Sequence, residues 1–256
     1  MSARVAPLRI GSVPYLNAAP LTWGLEKEII FCPPTVLAMK LRRGEIDAGL
    51  VSVTEVLFND HYEVLDGIAV ASRGEVKRVF LAYRQPIELT RVVYCDPASL
   101  TSVNLLRVLL AEKGLHPELR PLRSDFAREL PDAFVRIGDP ALRFLLGPRS
   151  HAIWDLGAAW HEAYRLPFVY AVWALRRGAQ TDELRKRLRA ARDAGLEQIE
   201  SIVAEHREFE ASFVREYFGR HLRYQLGSEE KRGLAKFTEL LAIQSSERIY
   251  HPHFVD

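Results

Sequence analysis

Apolar positions fall into short runs of strand length, separated by stretches in which they recur every three or four residues. The segment "IGSVPYLNAAP" sets the theme: a short apolar strand turns polar at Ser12, and a helix over 18–25 follows the prolines. In "PPTVLAMKLRRGEIDAGLVS", Val36, Leu37, Met39, Lys40 and Leu41 fit a helix led in by prolines and stopped at Gly44. A strand over 46–52 then ends in a hydroxyl. "YEVLDGIAVASRG" predicts a strand pair or strand edge ending at Ser72-Arg73-Gly74, and the β-branched and aromatic run over 76–84 predicts another strand.

After Gln85-Pro86 a second series follows: strand "RVVYCD", helix "SLTSVNLLRVLLAEKGL", strands "ELRPL" and "DAFVRIGD", and helix "PALRFLL". Leu105, Leu106, Leu109 and Leu110 form the buried stripe of the long helix. The strand "LPFVYAVWALRRG" leads back, and the remainder is helical, with Leu184, Leu188, Ala191, Ile199 and Val203 near helical spacing and a last helix over about 229–241. This order predicts an α/β protein of two lobes with paired crossings near 84–86 and 171–176. Residues 1–86 with 176–256 form one lobe, 87–175 the other, and the C-terminal helices pack back on the first. A ligand cleft lies between the lobes.

Composition narrows the function. Lys+Arg 35 against Asp+Glu 33 leaves a net charge of +2, so neither a nucleic acid nor another polyanion is an expected partner. No apolar run approaches the ~20 residues of a membrane span, and "MSARVAPLRIGS" has no apolar signal core, so no membrane association is expected and a cytoplasmic location is. Cys32 and Cys95 are too few for a disulfide framework and lack metal-ligand spacing. The chain has no G-x-G-x-x-G, P-loop, H-E-x-x-H or G-x-S-x-G motif, and its one close histidine pair, His251 and His253, reads as a surface tail. No metal and no cofactor are expected. Oligomeric state is not legible.

What remains is a repeated design in which strands end in small polar residues at turns. Ser12, Tyr15 and Asn17 follow the first strand, Ser52 and Thr54 the next, then Ser72, the pair Thr101-Ser102, and Asp139. Each has a bland alternative: Asp139 before Pro140 suits a helix cap, and Thr101 or Ser102 can cap the Leu-rich helix. Together, such loops converge on a cleft, where hydroxyls and helix N-termini favour a ligand bearing carboxylates. Arg73 offers a fork for a carboxylate, or a salt bridge to Glu75 or Asp66. Tyr15, Trp23 and Trp154 either wall the site or pack in the core.

The ordered set "SVPYLNAAPL", "LRRGEIDAGLVSVTE", "LDGIAVASRGEVKRVFL", "LTSVNLLRVLL", "RIGDPAL" and "WDLGAAWHEAYRLPFVYAVWA" resembles the chorismate dehydratases of the futalosine route to menaquinone. The resemblance runs from about residue 9 to 173. It implies a type II periplasmic-binding-protein fold, a cofactor-free intracellular enzyme, and removal of water from the dicarboxylate chorismate to give 3-[(1-carboxyvinyl)oxy]benzoate. On that footing Ser52, Ser72, Thr101 and Ser102 are assigned to the carboxylates, and Asn17 to orienting the substrate or stabilising an enolate. The base is either the substrate's own enolpyruvyl carboxylate, which is favoured, or Asp139. The sister enzyme that cleaves cyclic dehypoxanthinyl futalosine shares the fold but opens its first loop with a Pro-Asn-Asp type sequence, from which "PYLNAAP" departs. A cytoplasmic carboxylate-binding or sensor protein on the same fold is the alternative from another class.

Overall fold

Two sheets organise the chain, and the computed structural model describes residues 8–96, 100–122, 130–148 and 150–256. Strands β1 (Ile10–Ser12), β2 (Ile29–Phe31), β3 (Ala48–Ser52), β4 (Tyr62–Ser72), β10 (Phe168–Arg176) and β11 (Phe254–Val255) form the first, in the order β11-β4-β10-β3-β1-β2. Its β1, β2 and β3 are parallel, whereas β10 runs antiparallel to both β3 and β4. Strands β5 (Val79–Tyr83), β6 (Val92–Cys95), β7 (Glu118–Pro121), β8 (Ala133–Ile137) and β9 (Ala152–Asp155) form the second, in the order β7-β6-β8-β5-β9.

The helices are α1 (Ala19–Thr22), α2 (Pro34–Arg42), α3 (Val53–Phe58), α4 (Leu100–Glu112), α5 (Gly138–Leu146), α6 (Leu156–Tyr164), α7 (Asp182–Glu197), α8 (Ile199–Glu205), α9 (Ala211–Glu216) and α10 (Ser228–Gln244). Helix α7 packs on α1 and β4. Helix α10 lies against β10 but also against α4, beside the second sheet. Its Phe237 closes an aromatic cluster with Trp160 and Phe168, with ring centroids 4.9–6.0 Å apart.

The chain leaves the first sheet after Ser72 and returns at Phe168, two residues that are register partners on adjacent strands. Both crossings therefore lie earlier than 84–86 and 171–176. The sequence predicts one strand over 76–84, but Lys77 adopts left-handed backbone (φ +63°) and β5 begins only at Val79. Gln85-Pro86 opens a short 3-10 turn over Ile87–Leu89 between β5 and β6, and Trp173 lies in mid-strand in β10. Of the strand pair or strand edge expected here, the structure has a single strand over Tyr62–Ser72 whose pairing with β10 shifts register.

Asp47 ties three strand ends together. Its carboxylate accepts the backbone N–H of Arg9 at 2.9 Å and pairs with the guanidinium groups of Arg9 and Arg176. Burial pushes its pKa up, but the Arg9 hydrogen bonds and the two positive charges outweigh this and hold it below the usual carboxylate value. A depressed folded pKa contributes stability above the unfolded value of about 3.9 and loses it as pH falls through the folded value. Asp47→Asn should therefore lower the melting temperature near about pH 7, with a narrower gap to wild type at about pH 3, below the unfolded carboxylate value. Melts at both pH values decide this; an equal gap at both would show that the charge contributes nothing.

Candidate active site

The ends of β1, β3, β5 and β8, the first turn of α4 and a C-terminal segment around Tyr217 and Leu222 enclose one cleft between the sheets. Its interior offers about 110 Å³ to the centre of a water molecule. That is room for several waters, and so for a small polar ligand. Among the described lining residues Arg78 alone carries a full charge. The rest are apolar groups, hydroxyls, phenols and the amide of Asn17.

Hydroxyls from both sides meet at one wall. Ser52 ends β3, and its Oγ lies 2.8 Å from Oγ1 of Thr54 and in hydrogen-bond contact with Oγ1 of Thr101. Thr101 donates to the carbonyl of Tyr170 at 3.2 Å, which commits its proton to β10 rather than to capping α4. Thr101 and Ser102 both line the cleft and are about 4% exposed. Thr54 is fully buried behind them and braces the cluster without lining the cleft.

Asn17 and Tyr15 line the same cleft. The 3-10 turn over Leu16–Ala18 is fixed through its backbone, with the Tyr224 hydroxyl donating to the Asn17 carbonyl at 3.0 Å. The Asn17 side chain makes no capping bond, and its Oδ1 is buried without a partner at the cleft wall. The Tyr15 ring approaches to 3.8 Å of the point where a Cβ on Gly138 would sit; Gly138 itself has φ +64°. Burial, and then the charge of Asp96, raise the Tyr15 pKa against the opposing pull of Arg78, so the phenol keeps its proton at neutral pH.

Arg78 is the residue that sequence reading missed. It is 2% exposed, ion-paired with Asp139, and donates from Nη1 to the Tyr217 hydroxyl at 3.1 Å. Its Cζ stands 4.9 Å from the Tyr217 ring centroid, and its Nε is buried without a partner. A carboxylate shapes its approach: Asp155 accepts the N–H groups of Val76, Lys77 and Ala158, pinning the turn before β5 to the N-terminus of α6. The available signal was one arginine inside the apolar run "VKRVFL". In sequence it is indistinguishable from a residue on a solvated strand face.

Other expectations fall elsewhere. Ser12 is wholly buried, and its Oγ has no partner, but it does not line the cleft. Ser72 is buried, 3.0 Å from the Tyr170 hydroxyl, and serves the wall from behind. Arg73 is exposed and pairs with Glu229 at 3.1 Å, neither with Glu75 or Asp66 nor in the cleft, because the left-handed turn at Gly74 faces it toward α10. Asp139 is not the cap of α5, which begins one residue earlier at Gly138. It lines a neighbouring, more open cavity with Trp23, His206 and three glutamates, and that cavity shares Tyr15 with the cleft. Trp154 packs against the core with Lys113 over its ring. Burial lifts the pKa of both buried thiols, that of Cys95 to about 12, so neither is poised as a nucleophile. Among the described residues no three His, Cys, Asp or Glu side chains converge as a metal site, and no helix is long and apolar enough to cross a membrane.

Residues 8–242 match the family model described as "Menaquinone biosynthesis". The chain belongs to that family. It is 30% identical over 269 residues, 95% of this chain and 98% of the relative, to a chorismate dehydratase of Thermus thermophilus. Its fold is shared with a crystal structure of a protein from Archaeoglobus fulgidus (TM-score 0.74, 16% identity, 93% of this chain and 97% of that one). It is also shared with the alkanesulfonate-binding protein from Xanthomonas axonopodis pv. citri (TM-score 0.69, 16% identity, 95% and 94%). This family member thus has the two-lobed, periplasmic-binding-protein-like fold expected of it.

Proposed function

We propose that this menaquinone-biosynthesis family member is a chorismate dehydratase, a carbon–oxygen lyase of the cytoplasm that converts chorismate to 3-[(1-carboxyvinyl)oxy]benzoate and water. The observation that carries the reading is the cleft itself. Asn17, whose amide oxygen is buried without a partner, and the hydroxyl residues Ser52, Thr101 and Ser102 line one and the same space. The likeness to a chorismate dehydratase across nearly the whole chain supports the choice of acid.

Chorismate carries a ring carboxylate, an enolpyruvyl ether and a hydroxyl on the neighbouring carbon. The C–H bond at the ether carbon breaks, and its electron pair delocalises through the ring double bond into the ring carboxylate as an extended enolate. The pair then returns through the ring and the neighbouring C–O bond breaks. The lost proton and hydroxide together make water, and the ring becomes aromatic. Aromatisation supplies much of the driving force, so orientation and stabilisation of developing charge matter more than a strong base. Neutral donors suit this task, since a cleft carboxylate would repel a dianion. The proton is assigned to the substrate's own enolpyruvyl carboxylate, because Asp139 is occupied by Arg78 and lines the adjoining cavity.

Incubating the purified chain separately with chorismate and with cyclic dehypoxanthinyl futalosine, and separating the products by chromatography, tests the reading. Conversion of chorismate alone supports it. Turnover of the futalosine derivative alone assigns the sister activity, and binding of chorismate with no product assigns a sensor.

A further inference from the structure

A buried guanidinium is costly unless anions and acceptors satisfy it on every side. Arg78 meets this condition on two sides only. Asp139 pairs with one amino group, and Tyr217 takes the other through its hydroxyl, with its ring 4.9 Å from the guanidinium carbon. Nε, by contrast, is buried with no acceptor, and the side chain lines the cleft. Among the described residues the cleft lining has no carboxylate to fill that place. Asp139 stands on the far side, in the wall of the adjoining cavity.

We infer that Arg78 is the carboxylate anchor of the cleft, and that Asp139 and Tyr217 are positioning residues that hold its fork toward the ligand. The dehydratase reading supplies the identity of the ligand, and the inference rests on it to that extent. Among the described lining residues a dianion entering this cleft meets one fixed positive charge, so one carboxylate docks on Arg78 and the other is left to the hydroxyl wall of Ser52, Thr101 and Ser102. This fixes which end of the substrate lies at Arg78, before β5, and which lies at the wall that the end of β3 and the first turn of α4 build together. Burial is the leading cause of the raised Tyr217 pKa, so its hydroxyl stays protonated and remains a neutral acceptor for the guanidinium.

The test uses the full chain and two probes besides chorismate: benzene-1,3-dicarboxylate and its neutral diamide, titrated by calorimetry. Wild type should prefer the dicarboxylate. Arg78→Met should lose that preference and weaken chorismate binding by roughly 30-fold or more, the scale for truncating one partner of a buried charge pair. Arg78→Lys should fall between. The double variant Arg78→Met/Asp139→Asn leaves no unpaired charge behind, and should fold and behave as Arg78→Met does. Asp139→Asn should raise KM with kcat nearly unchanged and with the acid limb of the pH profile kept. A variant without Arg78 that still prefers the dicarboxylate would overturn the inference. So would Asp139→Asn losing kcat at unchanged KM, which would make Asp139 the base. If wild type ignores chorismate yet prefers the dicarboxylate through Arg78, the anchor stands and the dehydratase reading falls.

Discussion

Asn17→Asp is expected to fold like wild type and to lose about 10²–10³-fold in kcat, the scale for removing one preorganised neutral group from a transition state that develops charge. The substitution is nearly isosteric, and the turn that carries it is held by Tyr224 on the backbone carbonyl, not by the side chain. Folding should therefore be spared. Turnover should not, because the new carboxylate would meet a dianion in a cleft whose described lining holds a single positive charge. Since orientation acts in the transition state, kcat should fall further than chorismate affinity. Asp60, an exposed partner of Arg177, provides the control, and its replacement should change neither. Steady-state kinetics with a thermal melt decide the matter. An Asn17→Asp enzyme with near-wild-type kcat would leave Asn17 as a turn residue.

Replacing Thr101 and Ser102 together by Ala is expected to weaken chorismate binding by about 1–3 kcal/mol, the usual cost of leaving polar partners unsatisfied. Stability should fall as well, because Thr101 ties the start of α4 to the Tyr170 carbonyl and to Ser52 and Thr54 on the facing sheet. Ser102→Ala alone separates the two effects, since Ser102 lines the cleft beside that cluster and is not one of its members. Its affinity loss should come with little change in melting temperature. Titration calorimetry and melts on both variants would tell. Full affinity with lowered stability would reduce the pair to a structural tie.

The strands and the long helices were legible because each carries its own period, as in the apolar run of β10 and the leucine stripe of α4. The crossings were less so. A strand pattern continues from 76 to 84, and nothing local distinguishes residues that pair across a sheet from those that lead into it. The hydroxyls were legible as a set of strand-end residues but not in their depth. Ser52, Thr101 and Ser102 reach the cleft, while Ser72 and Thr54 sit one layer behind. Arg78 and Arg73 mark the limit. One is buried by Asp139 and Tyr217 and the other drawn to the surface by Glu229, partners that lie far along the chain. Local sequence carries no trace of such pairings.

The central claim is dehydration of chorismate in this cleft. Its most direct measurement is a timed incubation of the purified wild-type protein with chorismate, followed by mass analysis of the product. The account predicts a single aromatic product lighter than chorismate by one water, formed catalytically and suppressed in Asn17→Asp. Chorismate recovered unchanged, with or without being bound, would contradict it.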